Sequence, residues 1–382
     1  MVKNLLTIIC SLVLGVVVGF GGYVYITLPE TEDLITGEVF YSQNNGDTVE
    51  AVPISSNVGD VSVHFLELGN KYTGDCTYIK VGENIDILID CGSRSNSVAT
   101  VSSYLNNYVT DGTLEFVIVT HAHRDHYAGF ATGKTVDSIF DLYECDIIID
   151  FALTNQQPGS TTYDNYLREL NDEITAGATH YTAADCWNNV GNAKRQFILD
   201  ETNDISLNIL YNEYYETKTD NENDYSVCTL LSQGDKHFIF TGDLDDETTL
   251  IEHNTLPQVE VYKAGHHGSG TSSSTDLMSA IRPKIVCVCC CAGSPEYKAA
   301  PENEFPTQAF VDRVSIYTKY IYVTSLAVKE NNSWDYTSMN GNIVVMAKLN
   351  QQTGVNCSNN NTLLKDTEWF KANRTLPIGA IQ

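Results

Sequence analysis

One short segment constrains this chain more than any other. Residues 115–120 form an apolar run typical of a buried strand, and they lead directly into His-Ala-His-Arg-Asp-His at residues 121–126. Four metal-binding side chains at the end of a buried strand are costly unless they bind something. Because strand side chains alternate, His121 and His123 are expected on one side, and a turn into a helix would direct Asp125 and His126 towards a second position. Imidazole and carboxylate ligands favour zinc, manganese or iron over calcium. The segment therefore predicts a metal site, with a solvated histidine loop as the alternative.

The pattern of these six residues resembles the H-x-H-x-D-H signature of the metallo-β-lactamase superfamily. The resemblance implies an α/β fold, a four-layer αββα sandwich, with two divalent metal ions, Zn²⁺ or Mn²⁺. Carried over by position, His121 and His123 would hold the first metal. Asp125 and His126 would hold the second.

Three other segments match the same family in the expected order. Asp90 ends a predicted strand and corresponds to an aspartate that supports the site. Thr-Gly-Asp at residues 241–243 makes Asp243 the carboxylate that bridges both metals. Gly-His-His-Gly-Ser at residues 265–269 supplies the last ligand of the second metal from either His266 or His267. The other histidine would contact substrate or act as an acid.

Residues 61–325 further resemble the hydrolase domain of ComEC competence proteins and related choline-phosphate esterases. The likeness rests on Phe-Leu-Glu-Leu-Gly at residues 65–69, Gly74-Asp75, Asn223-Asp-Tyr-Ser226, Lys263 ahead of the histidine pair, and Phe-Pro-Thr at residues 305–307. The many membrane helices of a full ComEC transporter are missing from this chain, which argues against a DNA channel.

The first metal position departs from the family pattern. Most members carry a separate third histidine between the signature and the bridging aspartate. Here His180 is the one histidine between the signature and residue 234, and it follows no strand end that can be predicted. Asn223 or Asp224 is the alternative ligand, and the first metal would then be weaker or exchangeable.

The resemblance implies a hydrolase in which metal-activated hydroxide attacks the substrate. Asp125 and Asp243 would be catalytic, with His267 as an acid for the leaving group. Lys263 would contact a phosphate or merely cap a strand edge, and the supporting residues are Asp90, Asn223, Ser226 and Lys263.

Phosphodiester hydrolysis is the leading hypothesis for the reaction. The substrate would be nucleic acid or a cell-envelope phosphodiester such as phosphocholine on a polymer. The formal net charge of −27, from 49 acidic and 22 basic residues, repels polyanions, so long nucleic acid is the less favoured of the two. Hydrolysis of a lactam or lactone, and a non-catalytic surface-anchored binding module, are the alternatives.

The amino-terminal segment predicts a membrane anchor. Residues 5–28 contain no charged side chain, and 24 residues reach about 36 Å as a helix, enough to cross a bilayer core of about 30 Å. Lys3 on one side and acidic residues on the other favour a single-pass protein whose hydrolase domain lies outside the cell membrane. A cleaved signal segment, giving a secreted protein, is the alternative. The predicted organisation is an anchor at 1–28, a linker at 29–59, a hydrolase domain at 60–350 and a carboxyl-terminal extension at 351–382.

Apolar periodicity predicts ten strands and five helices, with strands in the majority. The strands cover residues 61–68, 85–90, 115–120, 146–150, 206–210, 226–231, 237–241, 259–263, 284–291 and 320–324. The helices cover residues 95–108, 163–176, 245–253, 273–281 and 307–316. Four cysteines within residues 287–291 lack paired metal-ligand spacing and are interpreted as small buried hydrophobes.

Overall fold

The computed structural model describes residues 57–297 and 304–382, together with Ile54 and a short strand at residues 35–36. In chain order the strands are β1 (Ile35–Thr36), β2 (Val61–Phe65), β3 (Thr77–Val81), β4 (Ile85–Ile89), β5 (Thr113–Ile118), β6 (Glu144–Asp150), β7 (Thr179–Thr182), β8 (Gln196–Asp200), β9 (Ile205–Ile209), β10 (Thr229–Gln233), β11 (Lys236–Phe240), β12 (Val261–Lys263), β13 (Ile285–Ala292), β14 (Tyr320–Glu330), β15 (Ser333–Ser338), β16 (Ile343–Ala347) and β17 (Gly354–Cys357).

The helices of the described residues are shorter on average than the predicted ones. They are α1 (Ser97–Leu105), α2 (Arg124–Tyr127), α3 (Ile139–Leu142), α4 (Thr161–Ala176), α5 (Ala183–Asn188), α6 (Thr248–His253), α7 (Thr275–Ile281), α8 (Gln308–Val314) and α9 (Glu368–Asn373). None of them combines the length and the apolar character that crossing a bilayer requires. The predicted anchor at residues 1–28 lies outside the described residues.

The strands form two mixed sheets. Sheet A has the order β1-β17-β16-β2-β3-β4-β5-β6-β7, and sheet B has the order β15-β14-β13-β12-β11-β10-β9-β8. Strands β4 to β7 run parallel in sheet A, and β11 to β14 run parallel in sheet B. The carboxyl ends of parallel strands meet at one edge of a sheet, where α/β proteins place their sites.

The two sheets pack face to face between two layers of helices. Side chains along each strand alternate between the opposite sheet and the helices. On β2, Phe65 packs towards sheet B, where its ring lies 6.4 Å from that of Phe240. The neighbouring His64 points the other way and hydrogen-bonds Tyr104 of helix α1 at 2.7 Å. On the far face of sheet B, Ile239 belongs to a separate apolar cluster shared with helices α7 and α8. The layers are therefore helix, sheet A, sheet B, helix, which confirms the predicted two-sheet sandwich.

Each of the ten predicted strands and five predicted helices has a counterpart within a few residues. Cys287, Cys289, Cys290 and Cys291 lie in the fully buried strand β13 as free thiols. Residues 351–382, predicted as an extension, contribute β17 to sheet A and two buried side chains, Leu364 and Phe370, to the core against sheet B. The carboxyl-terminal segment is thus an integral part of the two-sheet body.

Candidate metal centre

The predicted signature lies at the carboxyl ends of strands in both sheets. Asp90 follows β4 and residues 121–126 follow β5, whereas Asp243 follows β11 and His267 follows β12. As predicted, the chain turns into a helix after His123, since α2 begins at Arg124. The two sheets therefore contribute opposite walls of one cluster.

Two buried histidines converge on one carboxylate oxygen. Nε2 of His126 lies 3.1 Å, and Nε2 of His267 lies 3.2 Å, from Oδ2 of Asp243. Nε2 of His267 also lies 3.3 Å from Oδ2 of Asp125. The four side chains offer two nitrogens and two carboxylates around a common point, a donor set suited to zinc or manganese.

The opposite nitrogens of these histidines face supporting groups. Nδ1 of His126 lies 2.8 Å from Oδ2 of Asp90, and Nδ1 of His267 lies 2.9 Å from the carbonyl oxygen of Cys289 and 3.2 Å from Oδ1 of Asp75. Such partners fix the tautomer so that Nε2 is left to bind a metal. Asp75 is one of four residues whose ligand atoms lie within 4.8 Å of one another, with His126, Asp243 and His267. Because Asp75 faces the Nδ1 side, we assign it to support and Asp125 to the ligand set.

Unsatisfied polar atoms show that the cluster fits a cation. Nε2 of His267, Oδ1 of Asp243 and both carboxylate oxygens of Asp75 are buried and have no hydrogen bond of good geometry. Buried polar atoms are normally paired, so each exception needs an explanation. A divalent cation on the Nε2 side would satisfy His267 and Asp243.

The charge balance leads to the same conclusion. The carboxylates of Asp75, Asp90, Asp125 and Asp243 are all buried. The ammonium of Lys263 lies against Asp75 and 4.0 Å from Oδ1 of Asp243. Although burial lowers the pKa of His126 and of His267, neighbouring carboxylates raise both pKa values well above the ordinary range. The site therefore favours positive charge, which protons or a metal ion would supply.

The first metal position is less complete. Nε2 of His121 lies 3.0 Å from Nδ1 of His123, so both predicted ligands present nitrogens to the same place. Burial and the charge of His126 lower the pKa of His121 well below its ordinary value, so His121 is neutral as a ligand must be. Ser226 Oγ lies 3.4 Å from Nδ1 of His121 and accepts a hydrogen bond from the backbone nitrogen of Asp243 at 3.0 Å.

No third histidine joins this position in the described part of the chain. His180 lies within β7, where its Nε2 is 2.8 Å from Oδ1 of Asp150. Asp224 accepts a hydrogen bond from the backbone of Asp246. Asn223 donates to Asp245 at 3.0 Å, while its own Oδ1 is buried without a partner. Asn223 is thus the better of the two predicted substitutes for the missing histidine.

The histidine pair is divided between two environments. His267 is buried in the cluster, whereas His266 is partly exposed and its Nδ1 lies 3.0 Å from Oδ1 of Asp245. Both residues have positive φ angles, 45° and 54°, which cost roughly 1–3 kcal/mol each for a residue other than glycine. The strained turn sends the adjacent rings in different directions, so His267 lies with the other candidate ligands and His266 lies against Asp245.

Close backbone contacts fix the signature against β4. The backbone nitrogen of Cys91 donates to the carbonyl of His126 at 2.7 Å, and that of Asp75 donates to the carbonyl of Asp125 at 3.0 Å. A Cβ at Gly92 would lie 2.1 Å from the carbonyl oxygen of Asp125. Glycine is therefore required where helix α2 meets the end of β4.

Asp75 was recognised in the sequence only as part of the family likeness, without a role at the site, and three other contributors were not predicted. Tyr297 donates a hydrogen bond to Oδ2 of Asp125 at 2.7 Å, Asp245 holds His266, and Glu222 accepts from the backbone nitrogen of Ala122 at 3.2 Å. Glu222 and Asp245 adjoin segments that the sequence did single out, whereas no metal-site pattern lies near Tyr297. Lys263, for which the sequence left phosphate contact and a strand-edge role as alternatives, is buried with its ammonium against Asp75.

Comparisons with known proteins agree with the motif. Residues 69–134 match the model of the metallo-beta-lactamase superfamily. A segment of 106 residues is 28% identical to Recombination protein 2 of Haemophilus influenzae, and it covers 28% of this chain and 13% of that protein. The chain therefore spans only a small part of this relative.

Two solved structures are similar to part of this chain, both with TM-scores below 0.5. The metallo-beta-lactamase fold protein YhfI from Bacillus subtilis has 12% identity and a TM-score of 0.39, covering 69% of this chain and 95% of its own. The short form of human tRNase Z has 14% identity and a TM-score of 0.33, with coverages of 60% and 92%. Through residues 69–134, the chain carries the signature segment of the metallo-β-lactamase superfamily, as the sequence resemblance predicted.

Proposed function

We propose that this chain is a metal-dependent hydrolase that cleaves phosphodiester bonds. The observation that carries the proposal is the convergence of Nε2 of His126 and Nε2 of His267 on Oδ2 of Asp243, at 3.1 and 3.2 Å. Together with Asp125, these residues would hold the second of two divalent cations. His121, His123 and Asp243 would hold the first, with Asn223 as a candidate further ligand.

Bound cations would supply Lewis acidity and lower the pKa of a nearby water. The protein's own contribution is to hold the ligands still. Asp90 fixes the ring of His126, and Asp75 with the carbonyl of Cys289 fixes that of His267. Burial of these groups excludes bulk water, which strengthens electrostatic interactions with charge that develops on the substrate.

Phosphodiesters suit the charges around this centre. Lys263 forms an ion pair with Asp75. The bound cations would therefore be the main positive groups available to an anionic substrate. The strongly acidic chain, with a net charge of −27, favours a small or local phosphodiester over long nucleic acid. A phosphodiester of the cell envelope, such as phosphocholine on a polymer, is therefore the preferred substrate class.

Hydrolysis of bis-(p-nitrophenyl) phosphate tests the proposal. Purified protein loaded with Mn²⁺ or Zn²⁺ should turn over this diester faster than a lactam or a lactone, and Asp243→Ala should abolish turnover. Metal analysis should give close to two equivalents. Preferred cleavage of the lactam or lactone would assign the alternative hydrolase, and absence of both metal and turnover would assign a binding module.

We also propose that residues 1–28 anchor the protein in the cell membrane with the hydrolase domain outside. The support is the uncharged run at residues 5–28, behind Lys3. Membrane fractionation of the full chain, followed by protease treatment of intact cells, should leave the protein in the membrane fraction and degrade the hydrolase domain. Recovery of a shortened chain in the medium would instead show a cleaved signal segment.

A further inference from the structure

The phenol of Tyr297 hydrogen-bonds one of the proposed metal ligands. Its hydroxyl donates to Oδ2 of Asp125 at 2.7 Å. That oxygen is the one that lies 3.3 Å from Nε2 of His267. The phenol therefore lies one hydrogen bond away from the coordination position itself.

The tyrosine is partly open to solvent, unlike the ligands. Its side chain is 47% exposed, whereas Asp125, Asp243 and His267 are buried. Its ring lies 6.0 Å from that of Phe305, which in turn lies 6.0 Å from the ring of His267. Tyr297 is thus accessible from solvent, while its hydroxyl reaches a buried residue of the proposed metal position.

A set of contacts holds the preceding residues in place. Oε2 of Glu296 accepts a hydrogen bond from the backbone nitrogen of Thr73 at 3.0 Å, and its other oxygen is paired with Arg94. The guanidinium of Arg94 also lies 4.2 Å from the ring centroid of Tyr72. Ser294 donates to the carbonyl of Lys71 at 3.2 Å. The loop after β13 is therefore tied to the loop that contains Asp75, and this tie presents the phenol at a fixed position.

Beside the proposed metal position, a substrate oxygen would need a hydrogen-bond donor. Lys263 is buried, with its ammonium against Asp75 and 4.0 Å from Oδ1 of Asp243, so its charge is already shared between two carboxylates. A phosphoryl oxygen that develops negative charge is stabilised by preorganised neutral donors as well as by cations. A phenol one hydrogen bond from the coordination position is suited to this task.

We propose that Tyr297 is a catalytic residue that donates a hydrogen bond to a non-bridging oxygen of the phosphodiester. The inference rests on the proposed function, since it names the group that contacts this substrate. In the free protein the hydroxyl donates to Asp125. When substrate enters, the same hydroxyl turns to the phosphoryl oxygen, and no covalent bond of the tyrosine changes.

Tyr297→Phe tests the proposal, because it removes the hydroxyl and keeps the ring. Metal content at saturating metal should match that of the wild type, because no metal ligand is removed. The affinity of metal-loaded protein for inorganic phosphate, measured by calorimetry, should fall roughly tenfold because one hydrogen bond to a charged group is lost. With bis-(p-nitrophenyl) phosphate, kcat should fall on the order of 100-fold with a smaller change in KM.

The matched control is Tyr317→Phe, which removes a phenol packed against the core cluster behind sheet B. It should leave metal affinity, phosphate affinity and kcat within about twofold of the wild type. Glu296→Gln, which loosens the tie to Arg94, should lower kcat in the same direction as Tyr297→Phe but by less.

The outcomes separate the inference from the proposed function. Active wild type with a Tyr297→Phe variant of equal kcat and phosphate affinity would overturn the role of Tyr297 and leave the hydrolase standing. If Tyr297→Phe loses metal to the same extent as it loses activity, Tyr297 is a positioning residue that acts through Asp125 and does not contact the substrate. Wild type that binds metal but cleaves no phosphodiester would overturn both proposals.

Discussion

His126 and Asp90 are joined through Nδ1 and Oδ2 at 2.8 Å, which leaves Nε2 of the histidine facing Asp243. Asp90 also accepts hydrogen bonds from the backbone nitrogen and the hydroxyl of Thr120, at 2.8 and 2.7 Å. One carboxylate therefore sets the orientation of a ligand that comes from a neighbouring strand.

Asp90→Asn should weaken metal binding without removing a ligand. The amide cannot match the carboxylate as an acceptor for Nδ1, so the ring of His126 becomes less basic and less well oriented. We expect metal affinity to fall about 10–100-fold, measured by calorimetry or competition with a chelator. Asp276→Asn, at an exposed position in α7, is the control. Equal affinities for the two variants would contradict a supporting role for Asp90.

The two adjacent histidines should respond differently to substitution. His267→Ala removes a buried ligand, so we expect loss of about one metal equivalent in elemental analysis after dialysis. His266→Ala should retain the metal content of the wild type, because His266 is partly exposed and contacts Asp245 outside the cluster of buried ligands. The reverse pattern of metal loss would assign the ligand role to His266.

The buried pair of Lys263 and Asp75 should show strong coupling in stability. Lys263→Met leaves the carboxylate of Asp75 without its ammonium partner, and breaking such a pair costs about 3–5 kcal/mol in the free energy of unfolding. The double variant Asp75→Asn, Lys263→Met should recover part of this loss. Urea unfolding measures each value, with the surface variant Lys371→Met expected within about 0.5 kcal/mol of the wild type. Simple additivity of the two single effects would rule out the coupling.

His64 should make the fold sensitive to acid. Complete burial lowers the pKa of His64 from 6.5 to about 3, and its two nitrogens contact Tyr104 and Ser62 at 2.7 and 2.8 Å. Below pH 6.5, His64 is protonated in the unfolded chain but stays neutral in the folded protein until the pH approaches 3. Stability from this group is therefore complete above pH 6.5 and falls by about 1.4 kcal/mol per unit as pH decreases towards 3.

Urea unfolding of chelator-treated protein at pH 7 and pH 5 measures this effect. His64→Gln should reduce the difference in stability between the two pH values by about 2 kcal/mol relative to the wild type. The exposed His253 provides the control through His253→Gln. The same difference in wild type and His64→Gln would show that His64 is not protected from protonation.

Strong local patterns made much of the fold and the centre predictable. Apolar runs marked β5, β11 and β13, and the signature after β5 identified His121, His123, Asp125 and His126. The motif order also identified Asp243. The strands could be found because apolar periodicity needs only neighbouring residues. The roles proposed for the residues of the centre follow from the resemblance to the metallo-β-lactamase superfamily.

The features that were missed depend on contacts between distant residues. Strand β3 contains Lys80, which is buried because it pairs with Asp86 of β4 at 2.8 Å, and a lysine obscures the apolar pattern. Strand β15 is polar and forms by pairing with the outer end of β14. Tyr297 reaches Asp125 across 172 positions of sequence, and nothing near residue 297 indicates this contact. Which of His266 and His267 joins the buried cluster depends on their left-handed backbone angles. The sequence shows only two adjacent histidines and does not indicate these angles.

The placement of the centre between the two sheets has a mechanical consequence. His126 comes from sheet A and Asp243 from sheet B, 117 positions later in the chain. A cation held by both would cross-link the sandwich at one edge, and its ligands tolerate displacements of only about 0.2 Å. Metal affinity would then depend on the relative position of the two sheets and could be used to measure changes in it. Substitutions in helix α8, which packs behind sheet B and touches no ligand, should be detectable as weaker metal binding before they are detectable as a loss of fold.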